Sequence, residues 1–276
     1  MTTEVQPPLI HKRFDEDIAH GYSWCFGDED VLANYVAKLL LGQHRHVRKI
    51  LEGVSSPTPA SSEAMIQVTL NKLAPVSPKP QTLKKLKEQR DGWLFQLIAW
   101  IGIRLVDSGK ILISPPHDRP ADKGFDALVI VLDEGTRTPV SMMICEEKAT
   151  DAARNLFQRQ VLEEFKDCKE GKRDPEIKSE LTTLLESSHI DETEVDDFLE
   201  LVMWNRDRGY RVSLTTTGIE PNMKSRKKLF KDFDDTIPGP ASLRRAEMFQ
   251  VDDLRGWMDS FSVKVAKEVE KLRKED

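Results

Sequence analysis

Two short apolar runs in the middle of the chain carry charged residues at their ends. The first spans residues 125–132 and has Asp126 near its start. The second spans residues 140–148 and ends in three charged residues, Glu146, Glu147 and Lys148. Both runs have the length and the side-chain types of strands, and residues 133–139 between them have the composition of a turn. The pattern predicts a hairpin with charged side chains gathered at one end.

Successive side chains of a strand point to opposite faces, so Glu146 and Lys148 share one face and Glu147 lies on the other. Charged groups beside a core are costly unless they are paired or bind a metal. We therefore expect Asp126, Glu146 and Lys148 to converge. Each also has a purely structural explanation: Asp126 could cap the loop before its strand, and Glu146 and Lys148 could form an ion pair of little energetic consequence on an edge strand. For the side chain of Glu147, a solvent-exposed or edge charge is expected.

The remaining chain is mostly helical in pattern. Apolar residues at helical spacing mark five stretches, which are residues 28–41, 81–106, 151–169, 174–203 and 263–274. Thr82 is the expected cap of the second stretch. Short strands are predicted at 110–114 and 211–217, a loop at 115–124, and either a helix or a strand at 63–73.

Two segments rich in proline and serine, residues 55–62 and 74–80, separate the N-terminal part from the rest. They suggest three regions. Residues 1–80 form an accessory region, residues 81–220 form the core, and residues 221–276 form a C-terminal helical extension.

Charge and composition narrow the class of protein. The chain has 276 residues and a formal net charge of −6, whereas an independent DNA-binding protein is usually basic. A nucleic-acid role would therefore need local basic faces or a partner. The densest basic cluster, expected to be a solvated surface, comprises Lys224, Arg226, Lys227, Lys228 and Lys231.

Other features point to a cytoplasmic protein without a membrane segment. The three cysteines show no CxxC spacing, which suggests a reducing compartment and no zinc site. No charged region followed by an apolar stretch stands near Met1, and the longest apolar run, residues 93–106, is too short to cross a bilayer. The sequence also lacks a phosphate-binding loop with lysine and a nucleophile elbow, which argues against an NTP-driven motor and a serine hydrolase.

A helix is followed by a Gly-Phe-Asp strand, a hairpin, a strand ending in Glu-x-Lys and a second helix. This order of elements, over roughly residues 86–162, resembles the PD-(D/E)XK nuclease superfamily. The resemblance implies an α/β, restriction-endonuclease-like fold, in which a mixed central sheet is flanked by helices, here with helical N- and C-terminal additions. It also implies DNA cleavage with Mg²⁺ or Mn²⁺. Asp126 and Glu146 would hold the metal, and the backbone carbonyl of Glu147 would complete the site. Lys148 would position or deprotonate the attacking water, or stabilise negative charge.

The same resemblance suggests further site residues on the two flanking helices. Glu88 and Gln96 are candidates on the preceding helix. The structural alternatives are a solvated surface position for Glu88 and, favoured for Gln96, a satisfied buried amide. On the following helix, Gln158 and Gln160 could approach the site. Arg154 and Arg159 could contact phosphate, or could be ordinary exposed arginines.

In size and layout the chain is also similar to the nuclease subunits of Hachiman-type anti-phage systems, which implies a helicase partner that brings DNA and restrains cutting. Two alternatives stay open. The chain could be a non-catalytic interaction subunit that keeps a nuclease-like fold, as its acidity and helix-rich flanks would allow. It could also cleave RNA.

Overall fold

The centre of the molecule is one seven-stranded sheet, seen in a computed structural model that describes residues 6–107, 109–116, 124–205 and 208–273. The strands are β1 (Leu9–Phe14), β2 (Gly21–Phe26), β3 (Ile111–Ile113), β4 (Ala127–Leu132), β5 (Pro139–Lys148), β6 (Arg208–Thr216) and β7 (Arg244–Gln250). Their order across the sheet is β1-β2-β7-β6-β5-β4-β3. The four central strands, β2, β7, β6 and β5, run parallel, and antiparallel strands flank them on both sides.

Helices cover both faces of this sheet. They are α1 (Glu29–Leu40), α2 (His44–Leu51), α3 (Glu63–Leu73), α4 (Pro80–Val106), α5 (Ala153–Leu156), α6 (Leu162–Lys169), α7 (Asp174–Ser187), α8 (Glu192–Asn205), α9 (Met223–Leu229), α10 (Phe233–Thr236) and α11 (Leu254–Lys271). A π-helical segment, Phe157–Val161, joins α5 to α6, and a short 3₁₀ turn, Ala241–Leu243, precedes β7. Among the described residues, no helix is long and apolar enough to span a membrane.

The two faces of the sheet form two separate apolar cores. One contains the buried half of α4 with α1 and α11, and the other contains α6, α7 and α8. Side chains of β4 alternate between them: Val129 belongs to the first core, and Leu128 and Ile130 belong to the second. The central strands are therefore buried on both sides, as parallel strands usually are.

The predicted hairpin is present. Strands β4 and β5 pair antiparallel, with Ala127 opposite Cys145. One step further along this register, Asp126 faces Glu146. Much of the loop expected at 115–124 lies outside the described residues. Residues 63–73, for which the sequence allowed either a helix or a strand, form the helix α3.

The fold is mixed α/β, as predicted, but the flanking regions are not purely helical. Strands β1 and β2 come from the N-terminal region and β7 from the C-terminal region, and all three join the central sheet. Sequence pattern missed β1 because only its two end residues are buried, and β7 because three of its six buried residues are charged. The proposed boundaries near residues 80 and 220 remain predictions.

The long helix also starts differently from expectation. It begins at Pro80. Proline is favoured in the first turn, where a backbone N–H has no partner within the helix and its absence costs nothing. Lys79 precedes Pro80 and makes no side-chain capping hydrogen bond. Thr82 lies inside the first turn and is not the cap. From Trp93 to Arg104 almost every side chain is buried, so this half of α4 serves as a central support for the sheet.

A cluster of buried ion pairs lies between α4 and the central strands. Arg211 of β6 donates to Glu147 of β5 and to Glu247 of β7, each at 2.6 Å. Arg245 donates to Glu247 at 2.6 Å, and the indole of Trp24 donates to the same carboxylate at 3.1 Å. These groups are almost wholly buried, so their pairing links three neighbouring strands through the interior.

The two carboxylates that share Arg211 have opposite electrostatic environments. Burial raises the pKa of Glu247, but Arg211 and Arg245 outweigh it and lower that pKa to about 2. Glu147 pairs with a single arginine of the described chain, Arg211, and burial, together with the negative charge of Asp126, outweighs that arginine and raises the pKa of Glu147 to about 8. The expectation that Glu147 is an exposed or edge charge was wrong, because the inward face of β5 meets Arg211 rather than water.

Replacing Glu247→Gln should destabilise the protein by about 3–5 kcal/mol, because Arg211 and Arg245 would remain buried with too little negative charge. Urea unfolding followed by circular dichroism measures this loss. Glu163→Gln is the matched control, since Glu163 is exposed on α6, and it should stay within about 0.5 kcal/mol of the wild type. A Glu247→Gln variant as stable as this control would contradict the structural role of the cluster.

The raised pKa of Glu147 should make the free energy of unfolding depend on pH. Its folded-state pKa lies above the ordinary value of 4.5, so its stabilising contribution is complete below that value and is lost as pH rises toward about 8. Relative to Glu147→Gln, the wild type should therefore lose on the order of a few kcal/mol between pH 5 and pH 9. Denaturant curves for both proteins across this range test it. A difference that stays constant with pH would show that Glu147 is not held in its neutral form.

Candidate active site

Three side chains singled out from the sequence meet where β4 begins and β5 ends. The ammonium Nζ of Lys148 lies 2.5 Å from Oε2 of Glu146 and 3.3 Å from Oδ2 of Asp126. Glu146 is only 3 % exposed, whereas Asp126 is 10 % and Lys148 is 18 % exposed. The cluster is thus mostly buried, and Lys148 is the most exposed of its three side chains.

Besides Lys148, two further donors hold Asp126 in place. The backbone N–H of Glu147 donates to its Oδ2 at 2.6 Å, and the side-chain amide of Gln96 donates to its Oδ1. Gln96 lies on α4, in the apolar half of the helix, and is partly buried. Its polar group is therefore satisfied, as one explanation expected, and the partner that satisfies it is Asp126.

A further carboxylate, which the sequence did not single out, reaches the same lysine. Oε2 of Glu164 lies 3.6 Å from Nζ of Lys148 and has no hydrogen-bond partner among the described residues. The amide of Gln160 donates to the other oxygen, Oε1 of Glu164, at 3.0 Å. Gln160 thus contacts the cluster only through Glu164.

The π-helical segment before α6 explains why Glu164 was missed. A π segment adds a residue to the turn and rotates everything after it relative to a regular α-helix, and such segments are frequent at functional sites. A regular helical wheel drawn over residues 151–169 therefore assigns the wrong face to residues beyond Val161. The available signal was the pair Glu163 and Glu164 in the helix that follows β5.

Other candidates lie elsewhere. Glu88 is exposed and stands eight residues before Gln96 on α4, about 12 Å along the helix axis. Gln158 and Arg159 are also exposed. Arg154 donates to the carbonyls of Leu229 and Lys231 and to the carboxylate of Asp232, so its guanidinium serves the packing of α5 against the chain after α9.

The densest basic cluster is less basic at its surface than the sequence suggested. Arg226 is fully buried, where it donates to Glu16 and to the carbonyls of Tyr22 and Ala246 and packs on Phe14. The expectation of a solvated surface was wrong for this residue. It fills a position between α9 and the sheet.

Burial and neighbouring charge set the protonation of the cluster. Burial raises the pKa of Glu146 well above its usual range, and the negative charge of Asp126 adds to that effect. Burial alone would lower the pKa of Lys148, but Glu146, Asp126 and Glu164 together outweigh it and raise that pKa. At these distances the carboxylates favour the protonated, positively charged form of Lys148.

The donors of this cluster fit a hard divalent cation. Within the described part of the chain, no three or more His, Cys, Asp or Glu side chains are already grouped to hold a metal ion. The cluster nevertheless offers carboxylate oxygens from Asp126 and Glu146, and the unpartnered Oε2 of Glu164. Mg²⁺ prefers oxygen ligands and keeps several waters, so two or three carboxylates suffice. The Glu147 side chain points away, and the role suggested for its backbone carbonyl remains a prediction.

Comparisons with known proteins do not assign the chain to a family. No model of a known protein family matches the chain, and no curated protein matches it either.

Proposed function

We propose that the chain is a metal-dependent nuclease that hydrolyses DNA phosphodiester bonds. The observation that carries the proposal is the convergence of Asp126, Glu146 and Lys148 at the open end of a β-hairpin. Two carboxylates and a lysine in one half-buried site can bind a divalent cation and still present positive charge to a phosphate. The resemblance of these residues to the PD-(D/E)XK pattern supports the same conclusion.

Each residue of the site has a role in this proposal. Asp126, oriented by Gln96 and the Glu147 N–H, and Glu146 would hold Mg²⁺ or Mn²⁺, with Glu164 as a further oxygen donor. The bound cation would supply an activated water and neutralise charge on the phosphate. Lys148, whose protonated form the neighbouring carboxylates favour, would stabilise the negative charge that develops on the phosphate during attack.

The acidity of the chain supports a partner that helps to hold DNA. The net charge is −6, and two of its arginines that could have served a basic surface, Arg154 and Arg226, are bound to the protein's own groups. We infer that a helicase or another regulatory protein supplies much of the phosphate contact and restrains cutting. Such an arrangement would suit a cytoplasmic effector of anti-phage defence.

A non-catalytic interaction subunit is the second candidate, and one observation favours it. Lys148 already pairs with both carboxylates, so each of them has a cationic partner within the chain itself. In that case the nuclease-like arrangement would be retained for stability, and cleavage of either DNA or RNA would be absent.

Cleavage of plasmid and linear DNA with Mg²⁺ or Mn²⁺ should be abolished, or reduced at least about 100-fold, by Glu146→Gln and by Lys148→Met. The first removes a carboxylate that would hold the cation, and the second removes the positive charge that would act on the phosphate. The assay is run with and without the proteins encoded beside this chain, and with a matched RNA substrate. Glu163→Gln, on the same helix as Glu164 but exposed, should cut like the wild type.

Activity that survives in Glu146→Gln or Lys148→Met would place catalysis elsewhere. No cleavage of DNA or RNA in any combination would favour the interaction subunit. Preferential cutting of RNA would correct the substrate while keeping the site.

Metal binding itself can be measured without catalysis. Mg²⁺ or Mn²⁺ should raise the melting temperature of the wild type, and at one hundred times its dissociation constant a ligand adds about 2.7 kcal/mol to stability. Asp126→Asn should weaken this effect, and Lys148→Met should strengthen it, because it removes the cation that competes for the carboxylates. Equal shifts in all three proteins would show that the metal binds at another place.

A further inference from the structure

A second concentration of charge lies away from the candidate active site. A small, partly open cavity is lined by the start of α2, the C-terminal half of α4, strand β3 and the end of α7. Its polar lining is dominated by His44, Arg45, Arg48 and Arg104, with Trp100 on one wall, and the described part of the chain contributes no Asp or Glu to it. A cavity whose charged groups are all potential cations has an excess of positive charge that the lining itself does not balance.

Arg104 is the least expected of these groups. It is only 5 % exposed, its guanidinium lies 5.1 Å from the ring centre of Trp100, and its Nε has no hydrogen-bond partner in the described part of the chain. A terminal nitrogen donates a weak hydrogen bond to the carbonyl of Ile111 at 3.4 Å. Among the described residues, no carboxylate lies within ion-pair distance of it. Burying a cation in this way is costly unless something else pairs with it.

Other buried arginines of the described chain show what normal pairing looks like. Those bound to carboxylates are Arg90, Arg208, Arg211, Arg226 and Arg245. Arg244 has no carboxylate but donates to four backbone carbonyls. Among the described residues, Arg104 has neither a carboxylate partner nor a set of carbonyl acceptors like that of Arg244. The contacts that stabilise the other buried arginines therefore do not account for its burial.

Neighbouring side chains add to the imbalance. Arg48, partly buried, has an Nε without a hydrogen-bond partner, and its ion pair with Glu52 is long, at 3.9 Å. Burial, with further repulsion from Arg48, lowers the pKa of Arg104 to about 10. Burial and the charges of Arg45, Arg48 and Arg104 likewise lower the pKa of His44. An anion in the cavity would favour the charged forms of both side chains and so raise both pKa values.

We propose that this cavity binds a phosphate group, either as a free anion or as part of a nucleotide or nucleic-acid chain. Guanidinium groups match the geometry of phosphate oxygens with several N–H donors, and the N-terminus of α2, which carries His44 and Arg45, favours negative charge. The cavity measures about 90 Å³, enough for a few waters or one tetrahedral anion but too little for a nucleoside. A nucleoside attached to the phosphate would have to lie outside.

Phosphate binding here stands apart from the metal chemistry proposed above. Arg104 lies eight residues after Gln96 on α4, about 12 Å along the helix axis, and none of the lining residues belongs to the Asp126 cluster. A failure of either proposal therefore leaves the other standing, and variants of the two sites can be assayed separately.

Isothermal titration of the full-length protein with inorganic phosphate, in chloride buffer, tests the site. Binding should weaken at least about tenfold in Arg104→Met and in Arg48→Gln, because each removes a charged donor. Arg104→Met replaces a buried unpaired cation with an apolar chain and is expected to fold, and circular dichroism checks this. Arg48→Gln, at a more exposed position, provides the second variant. Arg159→Gln, exposed on the π segment, is the matched control and should bind like the wild type.

Two further measurements identify the source of the phosphate. In wild-type protein, phosphate should raise the pKa of His44 seen by NMR, and this rise should disappear in Arg104→Met. Oligonucleotides with a 5′-phosphate or a 5′-hydroxyl are then compared: a preference for the phosphorylated end that depends on Arg104 assigns the site to nucleic acid, and binding of inorganic phosphate alone assigns it to a free anion. Absence of phosphate binding to the wild type, or equal binding by the Arg48, Arg104 and Arg159 variants, would overturn the proposal.

Discussion

The pairing of Arg211 with Glu147 and Glu247 is the interaction on which the arrangement of the sheet depends. It joins side chains from three adjacent strands beneath α4, with Arg245 and Trp24 completing the contacts of Glu247. Such a cluster tolerates only one register of β5, β6 and β7, because a shift of one residue would turn each charge to the opposite face. The position of Glu146 and Lys148 on the other face of β5 follows from that register.

Consecutive residues of strand β5 therefore belong to two different charged clusters, one on each face of the sheet. Glu147 faces α4 and belongs to the buried cluster, while Glu146 and Lys148 face α6 and the candidate site. The backbone connects the two, since the N–H of Glu147 orients the Asp126 carboxylate. A change to the buried cluster would consequently reach the site by moving the backbone of β5, without any direct side-chain contact.

The site could be anticipated from the sequence where it depends on local pattern. Alternation along β5 and the length of the hairpin suffice to place Asp126, Glu146 and Lys148 together. Glu164 could not be found this way, because the π segment changes the face on which it lies. Strand β7 was missed for a different reason: its charged residues are buried by partners more than thirty positions distant in sequence, such as Arg211, and apolar pattern does not show such pairing.

Buried charge in this protein falls into two kinds, and the difference separates structure from function. Arg211, Arg226 and Arg245 are matched by carboxylates of the chain itself, so their contribution is complete in the folded protein. Lys148, in contrast, stands among more negative charges than it can balance, and Arg104 stands among positive charges with no anion in ion-pair range in the described chain. Desolvating such groups lowers stability unless a ligand later restores the balance. The excess charge is negative around Lys148 and positive around Arg104. On electrostatic grounds, a cation would therefore be the favoured ligand beside Lys148, and a phosphate would be the favoured ligand beside Arg104.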